Sequence, residues 1–164
     1  MKKILMEVKD YVIIIVVVLL IRTFIITPAI VDGASMDNTL ADGQLVMINR
    51  IVYSIKDIER LDIVVINNEQ DNDRIIKRVI GLPGETIKYQ NNKLYINGKE
   101  LVTDIKFEET NDFEVKTKDD EYFVLGDNRD ISKDSRMLGN FKKEDIIGRV
   151  SLRLFPFNKI GFVK

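Results

Sequence analysis

The chain has 164 residues, and 25 Lys and Arg against 26 Asp and Glu give a formal net charge of −1, so the global balance offers nothing that would attract nucleic acid. It contains no cysteine and no histidine. Disulfides, thiol chemistry, thiolate or histidine-ligated metal sites and any Ser-His-Asp triad are excluded. A hydrolytic base in this chain must be Lys, Asp, Glu or a terminal amine.

Residues 1–10 carry Lys2, Lys3 and Lys9, and residues 11–31 then run for 21 positions with a single charge, Arg22. A helix of that length crosses about 30 Å of hydrocarbon, and the lysines place its N-terminal end in the cytoplasm. Arg22 would lie near the outer interface, where its stem can snorkel. A buried core helix and a cleavable signal peptide compete with this reading. The apolar run continues through Arg22 and Phe24 to Pro28, too long and bulky for a small-residue cleavage site. The expectation is a retained transmembrane anchor over 11–31, with residues 32–164 forming an extracytoplasmic domain.

Beyond Gly33 the pattern changes to short apolar runs with period-two character. They fall at 44–49, 63–66, 74–82, 86–89, 93–96, 122–125 and 147–155. Asn91-Asn92 and Asn97-Gly98 read as tight turns, the second a strong hairpin signal. Residues 67–73 and 103–120 are polar and read as loops. Many short strands with little helix predict a mostly β domain, made of folded antiparallel sheets or barrel-like.

The five serines are Ser35, Ser54, Ser132, Ser135 and Ser151. Ser35 follows Gly33 and Ala34, small residues that let the chain turn sharply and a substrate approach, and an N–H at such a bend can serve an oxyanion. A serine there is equally an ordinary turn residue. Lys77 lies in RIIKRVIGLPGE, where strand alternation puts it on one face with Ile75 and Val79. Desolvation there would lower the amine pKa and supply a base. The same pattern fits an edge-strand lysine that reaches water or discourages aggregation. Gly126 to Gly139, GDNRDISKDSRMLG, crowds Asp127, Asn128, Arg129, Asp130, Asp134 and Arg136 after an apolar strand. Such a run holds ion pairs in fixed geometry or is simply a solvated face.

Taken together, IRTFIITPAIVDGASM, LVMINRIVYSIKDIERLDIVVI, IIKRVIGLPGE, LYINGK, YFVLGDNRDISKDSR and FPFNKIG closely resemble the type I signal peptidase family of Ser/Lys proteases. The resemblance covers nearly the whole chain. It implies Ser35 as nucleophile and Lys77 as general base, with Ser132 orienting the lysine amine. Asp127 would pair with Arg78, and Asp134 with Arg136 behind the site. Met36, Leu40, Ile75 and Ile76 would line shallow pockets for small substrate residues at −1 and −3. The implied partners are the signal peptides of exported preproteins and membrane lipid, not nucleic acid, and no cofactor or metal is called for.

Two positions depart from the family pattern. Gly33 stands where some members carry a serine whose hydroxyl is a second oxyanion donor. Asn38 replaces the usual proline three residues after the serine. Proline would stiffen that turn, so Asn38→Pro is expected to leave activity unchanged or raise it. Asn38 also leaves room for a non-proteolytic relative, a chaperone or assembly factor for surface structures such as pili. A self-cleaving Ser/Lys transcription regulator would need a DNA-binding domain where this chain has its apolar segment.

Overall fold

The computed structural model describes residues 2–20, 25–105 and 109–163. The chain opens with helix α1 (Lys2–Leu20), on which every residue from Tyr11 to Leu19 is exposed. Strand β1 (Ile26–Ile30) follows and pairs antiparallel with β2 (Leu45–Asn49). The apolar stretch 11–31 is therefore not one helix, and the expected span is corrected: among the described residues no helix is long and apolar enough to cross a membrane. A run of Ile, Val and Thr suits a strand as well as a helix, and periodicity alone does not separate them. Pro28 is accommodated because β1 is an edge strand, paired on one side only. Arg22, expected near the outer interface, and Phe24 lie outside the described residues.

The rest of the chain is mostly antiparallel β. Beyond α2 (Val52–Ile55) come β3 (Ile63–Asn68), β4 (Asp73–Gly81), β5 (Thr86–Gln90), β6 (Lys93–Ile96) and β7 (Lys99–Glu100). They are followed by β8 (Phe113–Lys116), β9 (Glu121–Leu125), α3 (Ser135–Leu138), β10 (Phe141–Lys142), β11 (Ile146–Phe155) and β12 (Gly161–Phe162). The larger sheet runs β1-β2-β11-β3-β4-β9-β10, with β12 on β11, and the smaller runs β7-β6-β5-β8. Both sheets are open, so the barrel-like alternative is not what forms.

Alternation along β3 explains the core. Ile63 and Val65 face a cluster with Val31, Met36, Leu40, Val46, Ile48 and Val150. Val64 and Ile66 face the opposite cluster, with Val79, Val124, Leu138 and Ile146. A third cluster, Ile80, Ile87, Leu94, Phe123 and Leu125, joins the two sheets. There Gly81 has no room for a side chain, because a Cβ would strike Ile87. Asn91, Asn92, Asn97 and Gly98 all have positive φ, as the two expected hairpin turns require. The expected loop at 103–120 does contain strand β8, whose alternating half-buried and exposed residues give a weak apolar signal.

Candidate active site

β4 brings Lys77 to the site. It occupies the middle of that strand, opposite Val64 of β3, and only 3% of it is exposed. From Arg78 onward β4 also pairs with β9, so both edges of the strand are held just beyond the lysine. Burial lowers the Lys77 pKa to about 8, partly offset by the carboxylates of Asp134, Asp127 and Asp73. Its Nζ donates to Ser35 Oγ at 2.8 Å and to the Ile76 carbonyl at 3.1 Å.

Ser35 reaches that contact from a turn rather than a strand. Pairing of β1 with β2 extends past the strand ends, since Val31 N–H donates to the Gln44 carbonyl and Gly43 N–H to that of Val31. Gly33 then turns the chain at φ +90° while its N–H donates to Asp42 Oδ1. A serine at position 33 would be strained in that conformation. The turn closes on itself through Asp37 N–H to the Ala34 carbonyl and Leu40 N–H to the Met36 carbonyl. Met36 and Leu40 plug it into the core.

Asn38 sits in this turn with φ +84°. Asparagine tolerates the left-handed region, whereas proline is locked near −65°. This turn has a backbone that proline cannot adopt, which reverses the expectation: Asn38→Pro should cost activity.

The Gly126–Arg136 loop closes the far side. Asn128 N–H donates to the Ser35 carbonyl at 3.1 Å. Asp127 receives Arg78 Nε at 2.8 Å and Nη2 at 2.6 Å, and neither side chain is more than 1% exposed. Asp134 caps α3 through the Arg136 N–H, accepts from Gly126 N–H and pairs with the Arg136 guanidinium. Ser132 is buried, but its hydroxyl has no hydrogen-bond partner among the described residues. The expected bond from Ser132 to the lysine amine is not formed here. The contacts shown for that amine are to Ser35 and the Ile76 carbonyl.

A pocket of about 140 Å3 opens beside the pair, lined by Ser35, Met36, Ile75, Ile76 and Lys77 among others. Leu40, expected to line it, is fully buried in the core instead, because the turn points it inward. Several residues escaped the sequence reading. A Cβ on Gly126 would collide with both the Ser132 side chain and the Ser35 carbonyl, so only glycine fits between the loop and the turn. Thr39 and Arg153 also bond at the site, and nothing in their spacing marks them.

A serine hydroxyl in hydrogen-bond contact with a desolvated lysine, in a β-rich chain without histidine, is the arrangement that a Ser/Lys hydrolase requires. Comparison with known proteins narrows this: the chain belongs to the signal peptidase family, peptidase S26, whose family model matches residues 4–155. Signal peptidase I of Bacillus amyloliquefaciens is 44% identical over 95% of this chain and 90% of its own length. Signal peptidase IB of Staphylococcus aureus (strain MRSA252) is 37% identical over 90% of this chain and 87% of its own. The crystal structure of a signal peptidase I from Enterococcus faecalis V583 superposes with a TM-score of 0.54 at 35% identity, covering 59% of this chain and 99% of that one. These relationships support signal-peptide removal by a serine peptidase and lend none to a non-proteolytic assembly factor.

Proposed function

We propose that this chain is a membrane-held endopeptidase that removes signal peptides from exported preproteins through a Ser35–Lys77 dyad. The observation that carries this reading is the 2.8 Å contact between Lys77 Nζ and Ser35 Oγ in a buried setting. The ammonium donates across that distance. Once neutral, the amine accepts the serine proton instead. Ser35 Oγ attacks the scissile carbonyl as its proton passes to Nζ, and the developing oxyanion faces the Ser35 N–H. The lysine then protonates the departing amine, and water, deprotonated by the same Nζ, releases the acyl group from Ser35.

Met36, Ile75 and Ile76 line a pocket sized for small side chains, which fits small residues at −1 and −3 of the substrate. Asp127 and Arg78 brace the base strand, Asp134 and Arg136 brace the loop, and Ser132 walls the site beside Gly126. Residues 11–19 form a helix that is exposed all round and aliphatic after Tyr11, the surface of a segment made for lipid. Lys2, Lys3 and Lys9 before the apolar run favour a cytoplasmic N-terminal side with residues 32–164 outside. That orientation rests on charge alone, since among the described residues no helix is long and apolar enough to cross a membrane.

The test is cleavage of a preprotein whose signal peptide ends in Ala-x-Ala by the purified full chain, its Ser35→Ala variant and its Lys77→Ala variant. Both variants are expected to fold and to lose cleavage entirely. Residual turnover by either would contradict the dyad.

A further inference from the structure

The Thr39 hydroxyl stands at a junction that the dyad chemistry does not use. It accepts from Arg78 Nη2 at 3.0 Å, so its single proton is committed elsewhere, to Asp127 Oδ2. Its carbonyl accepts from Arg153 Nη1 at 3.1 Å, and Arg153 Nε in turn donates to the Lys159 carbonyl. Thr39 is four residues from Ser35 in the same turn, and its N–H donates to the Met36 carbonyl. Arg78 directly follows Lys77 on β4, and Asp127 directly precedes Asn128, whose N–H holds the Ser35 carbonyl. One hydroxyl thus ties the nucleophile's turn to the strand of the base and to the loop that grips Ser35.

Met36 and Leu40 also anchor the turn, but apolar contacts are non-directional. They set how deep the turn sits without fixing its rotation. Hydrogen bonds to an ion pair are directional and charge-assisted, and the pair that receives them is almost wholly excluded from solvent. Building on the dyad reading above, we propose that Thr39 is a positioning residue. Its hydroxyl, locked onto the buried Arg78–Asp127 pair, sets the orientation of the turn and so the approach of Ser35 Oγ to Lys77.

The test compares Thr39→Val, which keeps the shape and removes the hydroxyl, with Thr39→Ser, which restores it. Full-length proteins in detergent are assayed on the same Ala-x-Ala preprotein, with Ser35→Ala and Lys77→Ala alongside. Thr39→Val is expected to lower kcat by roughly 10- to 100-fold, the scale of a small misplacement of reacting groups, with KM within about twofold because the pocket is untouched. Thr39→Ser is expected to stay within about threefold of the parent. If Thr39→Val does not fold, Thr39→Ala, which only removes atoms, carries the same expectation. An unchanged kcat, a change in KM alone, a serine variant no better than valine, or failure of both Val and Ala variants to fold would overturn the inference. Cleavage by Ser35→Ala or Lys77→Ala would instead overturn the dyad reading itself.

Discussion

Lys77 and Ser35 meet at 2.8 Å, yet the regions that carry them are held by different means. Lys77 lies inside a nine-residue strand, and its neighbours from Arg78 to Gly81 are all buried. Sheet pairing fixes its backbone, and its environment fixes its protonation. Ser35 rides on a half-exposed turn with two residues at positive φ, Gly33 and Asn38. That turn is placed by a few hydrogen bonds and two buried side chains. The base is therefore placed by the fold as a whole, while the nucleophile depends on a small number of named contacts. Substitutions in β4 should mainly disturb chemistry or folding outright, and substitutions in the turn should disturb alignment in a folded protein.

The sharpest break comes on the strand side. Lys77→Arg keeps charge and approximate length but places a guanidinium that stays protonated where a base is needed. It is expected to match Lys77→Ala in losing all measurable cleavage while circular dichroism stays native. Turnover within a few-fold of the parent would make Lys77 a structural residue.

Gly126→Ala tests the seam between the loop and the turn. The added methyl must displace Ser132 or the Ser35 carbonyl, so kcat should fall by about 100-fold or more, the scale of an ångström's misplacement. Thermal unfolding would separate this from a folding defect. Parent-like kcat would show that the loop yields and that the close approach is incidental.

On the turn side, Asn38→Pro should lower kcat by roughly tenfold or more, because φ +84° is closed to proline. Asn38→Gly, which accepts that backbone at no steric cost, should stay within a few-fold of the parent. Equal activity of the proline and glycine variants would mean that the turn relaxes freely and that alignment comes from elsewhere.

Strand-borne features were the legible ones. Short apolar runs located β2, β3, β4, β5, β6, β9 and β11 to within a residue or two. Of these, β2, β5, β6 and the first half of β11 bury alternate side chains, whereas β3, β4 and β9 are buried on both faces and read as continuous apolar stretches. Asn91-Asn92 and Asn97-Gly98 declared their turns through residues that tolerate positive φ. That Ser35 and Lys77 meet was legible through the resemblance to a known family, since in its own context the serine fits an ordinary turn and the lysine an edge strand. Strand β1 was not, since an apolar run of branched residues satisfies both a helix and an edge strand. Leu40 was misplaced because a motif fixes spacing and not the direction in which a turn sends its side chains. Thr39, Gly126 and Arg153 act through contacts between segments dozens of residues apart, which local sequence does not carry.

If burial makes Lys77 the base, kcat/KM must follow the titration of its amine. Its pKa is lowered to about 8 by desolvation, and only the neutral amine can take the Ser35 proton. Below that value the neutral fraction falls with pH, so kcat/KM should drop about tenfold per unit on a limb centred near 8. It should level off above that limb, well before the ordinary lysine range. A limb near the unperturbed lysine value of about 10.4, or a rate indifferent to pH across this window, would contradict the account.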